Sequence, residues 1–266
     1  MFFDTHTHLD YLAERAHLSL AEIMQQAQAN QVEKILLAGA DASQFELFPS
    51  FTAPFQQTLK FGLGLHPLFI QQHQEQDLEQ LQQILQQRPE NCTAIAEIGL
   101  DRGMPALFEG NLWQKQNDFL AAQLQFAKQF QLPVSLHSRK THDQLFVHLK
   151  KADLPKRGVV HGFSGSYQQA KRFVDLGYYI GVGGVITYER ANKTRQTIAK
   201  LPWDCLLLET DSPDMPLFGK QGQPNQPQQV INVFTQLCEL KGIDNQPNEI
   251  EKAQAIIWQS SCSLFA

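Results

Sequence analysis

The chain has 266 residues, of which 42% are apolar and 18% are charged, and it carries a formal net charge of −5 at pH 7. This composition predicts a globular protein and excludes a largely disordered one. An acidic chain is poorly suited to extended, non-specific binding of duplex DNA, because such binding depends on many Lys and Arg contacts to phosphate. The sequence shows no N-terminal signal segment and no apolar run long enough to cross a bilayer, so we expect a soluble, cytoplasmic protein with no membrane partner and no obligate protein partner.

The cysteines are scattered and form no Cys-x-x-Cys pair, which argues against a zinc knuckle or a redox motif. We predict that they are buried free thiols in a reducing compartment. They are Cys92, Cys205, Cys238 and Cys262.

The first apolar segment, FFDTHTHL at 2–9, contains two histidines separated by one residue. Residues i and i+2 of a strand point to the same face, so the side chains of His6 and His8 project together. Neutral imidazole is the commonest metal ligand in proteins, and this spacing suits a shared ion. An edge strand with solvated histidines is the alternative for so short a motif, and partners elsewhere in the chain decide between the two.

Short apolar or β-branched segments recur along the chain and predict eight strands. Near-continuous hydrophobic strands separated by helices predict a parallel sheet that is covered on both faces. The segments are FFDTH (2–6), KILLAG (34–39), KFGLGL (60–65), TAIAEIG (93–99), LPVSLH (132–137), GVVHGF (158–163), GYYIGVGG (177–184) and CLLLETD (205–211).

Longer amphipathic segments lie between most of these strands and predict helices. Ser19 and Glu22 have the spacing of a capping box at the start of the first one. In the glutamine-rich segment 76–87, a single leucine stripe predicts a helix with one solvated face. The weakest helix prediction is 42–57, which prolines interrupt. The other predicted helices span 111–131, 140–151, 166–176, 189–200, 226–241 and 248–264, and the first spans 19–30.

Eight strands that alternate with helices close most economically as an α/β fold of the (β/α)8 type, a TIM barrel. The length of the chain is common for a single domain of this fold. No linker-like segment divides the sequence, so we predict a single domain at 1–266. The longest Pro/Gly-rich loop, at 212–227, follows the eighth strand and therefore lies on the catalytic face of such a barrel.

Ligand-type side chains lie in or at the ends of five predicted strands, where they would gather at the carboxyl rim of the barrel. Each has a structural explanation when taken singly: a surface carboxylate, a hydrogen-bonded core histidine or the cap of a turn. Taken together they predict a divalent-metal site, since a buried ionised carboxylate is costly without a partner. The residues are His6, His8, Glu97, His137, His161 and Asp211.

The remaining histidines divide into two groups. His66 follows the third strand on the same rim, where it either contacts substrate or packs against the next residue, Pro67. We predict that the others lie on the surface, and these are His17, His73, His142 and His148.

Five ordered motifs make the chain resemble the TatD family of metal-dependent deoxyribonucleases and, within it, the YjjV-type branch. The resemblance covers essentially the whole chain. The motifs are DTHTHLD (4–10), AEIGLD (96–101), LPVSLHSR (132–139), HGFSGS (161–166) and LLLETDSPDMP (206–216).

This resemblance implies a barrel of the amidohydrolase type with two divalent metal ions per chain. Zn, Mn, Mg, Co and Ni are all compatible with ligands that are imidazoles and carboxylates. The resemblance implies His6, His8, Glu97 and Asp211 around one ion and Glu97, His137 and His161 around the other, so that Glu97 bridges them.

The implied activity is phosphodiester hydrolysis at DNA ends or in single strands, or hydrolysis of a small phosphoester. Asp211 is placed to take the proton of the metal-activated water, and Glu97 is the next candidate base. Arg139 can bind phosphate in bidentate fashion. Ser164 lies in a small-residue segment that opens a helix and can bring backbone N–H groups to an anion. The structural alternatives are an exposed helix start and a tight turn.

The chain departs from the family pattern at two places. Members that act on DNA often carry a second histidine shortly after the Gly-x-His-Pro unit, where this chain has Leu68. The usual Arg-Leu-Phe ending is replaced by Ser263, Leu264 and Phe265.

A small-molecule amidohydrolase acting on a lactone, ester or amide is therefore an alternative, although the carbamylated lysine of many such enzymes is absent from strand four. A non-catalytic metal-binding barrel is a further alternative, against which the complete ligand set weighs.

Overall fold

A computed structural model describes all residues of the chain, 1–266. Eight parallel strands follow one another in a single sheet in the order β1 to β8. A parallel bridge joins Thr7 to Ser212, where the end of β1 meets the segment after β8, so the barrel is nearly closed. The predicted (β/α)8 fold is confirmed. The strands are β1 (Phe2–Thr7), β2 (Val32–Ala38), β3 (Leu59–Gly62), β4 (Cys92–Asp101), β5 (Val134–Arg139), β6 (Gly158–Val160), β7 (Tyr179–Val182) and β8 (Leu206–Leu208).

The sequence-based predictions run past the observed carboxyl ends of β3, β6, β7 and β8. Most of these residues stay buried, as Leu63 and Glu209 do at 0% exposure, although the backbone has left the sheet there. Gly162 and Asp211 are partly exposed. A hydrophobic pattern records burial and not hydrogen-bonded pairing, which explains the difference. The strand extensions that were predicted therefore form buried loops at the rim.

Ten α-helices connect or flank the strands, and nine of them match predicted segments. The additional helix, α1, begins directly after His8, whose side chain makes no cap hydrogen bond, so no polar cap marks its start in the sequence. The helices are α1 (Leu9–Ala16), α2 (Leu20–Ala29), α3 (Gln44–Thr52), α4 (Glu75–Gln87), α5 (Leu112–Phe130), α6 (His142–Ala152), α7 (Tyr167–Asp175), α8 (Asn192–Lys200), α9 (Val230–Leu240) and α10 (Pro247–Phe265).

The capping box predicted at the start of α2 is confirmed. The Ser19 hydroxyl accepts a hydrogen bond from the Glu22 N–H (3.2 Å), and Glu22 Oε2 accepts one from the Ser19 N–H (2.8 Å). The weak prediction at 42–57 corresponds to α3, which contains Pro49, followed by a short 3₁₀ turn at Ala53–Phe55.

The chain forms two compact units. The first unit consists of Met1–Leu37, His161–Asp175 and Tyr179–Ala266, and the second consists of Ala38–Val160 and Leu176–Tyr178. The prediction of one domain over 1–266 stays a prediction.

The core of each unit is built around aromatic side chains. In the first unit, the ring of Phe3 packs against Trp258 and Phe265, with both centroid distances at 6.4 Å. In the second, Phe48 and Phe61 pack edge to face at 6.1 Å. Fully burying such a ring stabilises the fold by roughly 1.5–3 kcal/mol.

Three buried glutamines of the second unit bind backbone groups at or just after the ends of its strands. Gln123 of α5 accepts a hydrogen bond from the Leu65 N–H (2.7 Å) and donates one to the Leu65 carbonyl (3.3 Å). About two turns earlier in α5, Gln116 bonds in the same way to the N–H (2.8 Å) and carbonyl (3.0 Å) of Asp101. Gln44 accepts the Ala40 N–H at 2.5 Å. Part of the glutamine content therefore has a structural role in the core.

No helix combines the length and apolar character that a membrane span requires. The predicted cytoplasmic location stays a prediction. All four cysteines are free thiols; Cys205 and Cys238 are buried as predicted, whereas Cys92 and Cys262 are only partly buried.

Two of the four histidines predicted to lie on the surface are buried, so the prediction is wrong for them. His73 is 2% exposed and His142 is 8% exposed. The ring of His73 stacks on Phe119, and its Nε2 lies 2.9 Å from the His66 carbonyl oxygen. Helix-flanking position in the sequence does not reveal such tertiary contacts.

We expect Gln123→Leu to lower the free energy of unfolding by about 2–6 kcal/mol, because it leaves the buried N–H and carbonyl of Leu65 without partners at about 1–3 kcal/mol each. Urea denaturation measures the change. Gln129→Leu on an exposed position of the same helix is the matched control. Equal stabilities of the two variants would contradict the role of Gln123.

Candidate metal centre

The first ligand cluster, His6, His8, His161 and Asp211, lies in the first unit at the ends of β1, β6 and β8. Backbone hydrogen bonds align its members. The Asp211 N–H donates to the His6 carbonyl (2.9 Å), and the His8 N–H donates to the carbonyl of Ser212 (2.7 Å). These two bonds extend the pairing of β1 beyond β8 and hold the Asp211 carboxylate beside both imidazoles.

The side chains of this cluster converge on Asp211. Its Oδ1 lies 3.6 Å from Nε2 of His8 and 3.8 Å from Nε2 of His6. The rings of His6 and His161 stack in parallel, with centroids 3.8 Å apart. Two imidazolium rings would repel each other at this distance, so this stacking disfavours protonation of both rings at once. One ligand atom each from His6, His161 and Asp211 lies within 4.8 Å of the others, so these three residues can share one ion.

The charge state of Asp211 suits a ligand or a base. Burial raises its pKa, but the hydrogen bond with His8 and the electrostatic influence of His161 and His6 outweigh burial, so the pKa lies below its ordinary value. The carboxylate is therefore ionised at neutral pH. Its side chain keeps 19% of its surface exposed, which leaves room for a water molecule to reach it.

A buried network behind the cluster fixes the segment that carries Asp211. Asp4 accepts hydrogen bonds from the Thr210 N–H (2.8 Å) and the Thr210 hydroxyl (2.5 Å). Burial raises the pKa of Asp4 well above its ordinary value. Glu209 is fully buried, accepts the Gly162 N–H (2.5 Å) and lies 3.9 Å from Nδ1 of His161. These buried contacts of Glu209 and Thr210 thus hold the two residues that precede Asp211.

The second ligand cluster, His66, Glu97 and His137, lies in the second unit and centres on one carboxylate oxygen. Glu97 Oε1 is 2.9 Å from Nε2 of His66 and 3.0 Å from Nδ1 of His137. Glu97 itself is only 2% exposed. An ionised carboxylate at this depth requires positive or hydrogen-bonding partners, and His66 supplies one of them.

Within this cluster, His66 is a hydrogen-bond donor and not a suitable metal ligand. Its Nδ1 accepts the Leu68 N–H (2.9 Å), and a backbone N–H can only donate, so Nδ1 carries no proton. The proton of the neutral ring is then on Nε2, which donates it to Glu97. Although His66 lies close enough to share an ion with Glu97 and His137, its tautomer assigns it to orienting Glu97.

His137 lies between two carboxylates. Its Nδ1 faces Glu97 and its Nε2 lies 2.9 Å from Oδ2 of Asp101. A neutral imidazole has a single N–H, so it can donate to only one of them. If Nε2 donates to Asp101, Nδ1 presents a lone pair towards Glu97, and a divalent cation between Nδ1 and Glu97 satisfies both. The ring is thus arranged as a metal ligand with a carboxylate behind it.

Asp101 is held in place for this role. It accepts the Gly103 N–H (2.5 Å), and its own N–H is bound by Gln116. Burial raises the pKa of Asp101, but the hydrogen bonds from His137 and Gly103 lower it by more. The pKa therefore lies below its ordinary value, and the carboxyl group stays ionised.

Both clusters therefore fit divalent metal ions: they combine imidazoles and buried carboxylates without thiolates, a donor set that suits Zn, Mn, Co, Ni or Mg. The structure brings His161 together with His6 and Asp211, whereas the family pattern implies His161 beside Glu97 and His137. The assignment of ligands to individual ions stays a prediction.

The residues predicted to bind substrate occupy different surroundings. The side chain of the exposed Arg139 packs against Gly103, where an added Cβ would lie 2.5 Å from the Arg139 Nε. Ser164 is exposed in the turn before α7. Leu68 is 40% exposed. Substrate contacts of His66, Arg139 and Ser164 stay predictions.

Sequence reasoning missed three carboxylates that position the ligands. Asp4, Asp101 and Glu209 are each at most 1% exposed. All three stand inside or at the end of an apolar strand segment, and the same cost of burying a charge that identified Glu97 marks them. The signal was present in the sequence, but it does not separate a ligand from the residue that orients a ligand.

We expect Asp101→Asn to weaken metal binding by about 10- to 100-fold, because an orienting carboxylate makes the imidazole ligand more basic and fixes its tautomer. Titration of metal-depleted protein with Zn²⁺ or Mn²⁺ measures the affinity. Asp118→Asn, on the exposed side of α5, is the control. An unchanged affinity in Asp101→Asn would show that His137 does not bind metal through this arrangement.

Comparisons with known proteins agree with this chemistry. The family model described as TatD related DNase matches residues 3–266. Over its full length the chain is 56% identical to an uncharacterized metal-dependent hydrolase of Haemophilus influenzae, covering 99% of that protein. It is 51% identical to the uncharacterized metal-dependent hydrolase YjjV of Escherichia coli K12, over 99% of this chain and 97% of that one. The crystal structure of YjjV, a TatD homologue, matches with a TM-score of 0.90 at 47% identity, covering 99% of this chain and 97% of that chain. The chain thus belongs to the TatD family of metal-dependent hydrolases.

Proposed function

We propose that this hydrolase is a deoxyribonuclease that cleaves phosphodiester bonds at DNA ends or in single strands, using two divalent metal ions. The observation that carries the proposal is the first ligand cluster, in which an ionised, partly exposed Asp211 lies within 4 Å of two imidazole nitrogens. Bound divalent ions would lower the pKa of a water molecule and stabilise the charge that develops on the attacked phosphoryl oxygen. The family description of a DNase supports this substrate class.

Glu97 is proposed as the residue that links the two metal positions. A carboxylate has two oxygens and can bind one ion with each. In a (β/α)8 barrel the carboxyl ends of all strands face one rim, which supports a shared site for ligands of β1, β4, β5, β6 and β8. His66 donates a hydrogen bond to Glu97 and would keep its oxygens oriented.

Asp211 is proposed as the general base. Its carboxylate is ionised, as required to take a proton, and it is the most exposed of the ligand carboxylates. The hydrogen bonds from Thr210 to Asp4 and the backbone bond to His6 hold it at a fixed position relative to a water molecule. A base that is already in place contributes without rearrangement in the transition state.

Arg139 and Ser164 are proposed contacts for the substrate phosphates. A guanidinium can bind two phosphate oxygens at once, and Arg139 is exposed at the carboxyl end of β5. Because the chain is acidic overall, few phosphates can be neutralised, which favours strand ends or single strands over long duplexes.

A small-molecule esterase or lactonase is the second candidate, and the exposed Leu68 favours it, because an apolar side chain there suits an uncharged substrate. Metal-loaded protein should be assayed on linear single strands, on circular single strands without ends, and on lactones and simple esters. Cleavage of linear DNA supports the proposal, and the circular substrate separates end cleavage from internal cleavage. Hydrolysis of lactones or esters without any cleavage of DNA would overturn it.

We expect the parent protein to bind two divalent ions per chain and Glu97→Gln to lose affinity at both positions, because the amide removes the shared negative charge. Metal analysis after reconstitution gives the stoichiometry. Glu79→Gln, on the exposed face of α4, should bind like the parent. Parent-like metal binding by Glu97→Gln would rule out a bridging role.

We expect Asp211→Asn to reduce kcat by about 10²- to 10⁴-fold, the usual contribution of a positioned base, while substrate affinity changes little. Asparagine keeps the shape and one ligating oxygen but cannot accept the proton. Steady-state kinetics with metal analysis separates the two effects, and Asp214→Asn, an exposed change in the same loop, is the control. If kcat survives and only metal affinity falls, Asp211 is a ligand and not the base.

A further inference from the structure

The loop that begins at Asp211 presents an aromatic side chain to solvent. Phe218 is 67% exposed, the largest value among the exposed large apolar residues. Single exposed apolar residues are common and need no explanation by themselves. Phe218 differs in being fixed: its N–H donates to the Thr187 hydroxyl (2.8 Å), and its ring packs edge-on against Tyr188, with centroids 5.8 Å apart.

Tyr188 is fixed in turn and carries a positive charge beside it. Its hydroxyl donates to the Pro216 carbonyl (2.6 Å), which ties the ring to the same loop. The guanidinium of Arg190 lies 5.1 Å from the centroid of the Tyr188 ring. Phe218, Tyr188 and Arg190 therefore form a small surface, here called the aromatic platform, with two rings and one cation.

The platform belongs to the loop that holds the proposed base. Asn225 is 3% exposed and donates from Nδ2 to the Thr210 carbonyl (2.8 Å), next to Asp211. The Asn225 N–H donates to the Pro213 carbonyl (2.9 Å). Both ends of the loop are thus pinned together beside Asp211, so Phe218 keeps a constant position relative to the proposed base.

We propose that the aromatic platform binds a nucleobase of the single-stranded substrate by stacking on Phe218, with Arg190 attracting a nearby phosphate. This proposal rests on the proposed function. A base has an apolar π-face and is joined to an anionic backbone, and a rigid exposed ring with a cation nearby matches both features. Stacking accepts any base, so the platform selects for single strands and frayed ends and not for a particular sequence. A small ester or lactone gains nothing from it.

The test compares two cleavage-resistant ligands of equal length and charge. A phosphorothioate-linked hexathymidine and the same backbone without bases, both with a fluorophore at one end, are titrated with metal-loaded full-length protein and followed by fluorescence anisotropy. The variants are Phe218→Ala, Phe218→Trp and, as an exposed apolar control elsewhere, Val147→Ala, which alters a side chain that is 62% exposed.

We expect Phe218→Ala to raise the Kd for hexathymidine by about 5- to 150-fold, which corresponds to the 1–3 kcal/mol typical of one stacked base. Its affinity for the base-free backbone should not change. Phe218→Trp should retain or strengthen the preference for bases, and Val147→Ala should behave like the parent. Because Phe218 is mostly exposed, we expect these variants to fold like the parent, and their thermal unfolding checks this.

The outcomes separate this proposal from the one it rests on. Equal affinity of the parent for the two ligands, or an equal loss on both in Phe218→Ala, overturns the stacking role. Base-dependent binding that Phe218→Ala abolishes supports it. If the parent shows such binding but hydrolyses no natural oligonucleotide with any of the candidate metals, the proposed nuclease function fails while the stacking role stands.

Discussion

The candidate centre depends on one short piece of backbone pairing, in which the end of β1 continues to bond to the segment after β8 has ended. The His6 carbonyl and the His8 N–H bond to Asp211 and Ser212, so that side chains from opposite ends of the sequence meet in a fixed register. A strand alternates its side chains, so this pairing directs His6 and His8 to the same place while Thr7 faces away and hydrogen-bonds the Leu36 carbonyl. The proton transfer proposed for Asp211 depends on this register.

The second constraint is electrostatic. Carboxylates are buried behind or within both clusters, and each must be satisfied by hydrogen bonds, by an imidazole or by a cation, since an isolated buried charge costs several kcal/mol. Asp4 uses Thr210, Glu209 uses the Gly162 N–H, and Asp101 uses Gly103 and His137. These contacts fix ring orientations and tautomers before any ion binds, so the protein part of the site is largely preorganised.

The sequence was sufficient for the architecture, because burial and helical periodicity both leave strong patterns. It also drew attention to the histidines and carboxylates that the structure groups in the two clusters, since such a residue inside an apolar segment is conspicuous. It could not predict the end of β8 before Asp211, because buried loop residues look like strand residues. Nor could it predict that His66 donates to Glu97, which depends on the backbone N–H of Leu68, or that His73 is stacked in the core.

The glutamine residues also show that a sequence pattern does not reveal tertiary contacts. The abundance of glutamine favours a solvated surface, and most positions in α4 fit that expectation. Gln44, Gln116 and Gln123 are instead nearly inaccessible and bond to backbone groups at or just after strand ends. An amide offers a donor and an acceptor on one planar group, so it can complete a strand end where no further strand residue is available. Identical residues thus serve opposite environments, and only tertiary contacts distinguish them.

The hydrogen bond from Asn225 to the Thr210 carbonyl turns the segment between them into a closed loop whose ends meet beside Asp211. Because the loop is closed at its base, a change at its tip has little effect on the position of Asp211. Lengthening a surface loop costs only slightly more entropy on closure. Residues around Phe218 can therefore be exchanged, inserted or removed over evolutionary time without displacing the carboxylate. The substrate contact proposed at Phe218 and the chemistry proposed at Asp211 are thus structurally separable, and such separation lets one barrel fold serve enzymes with unrelated substrates.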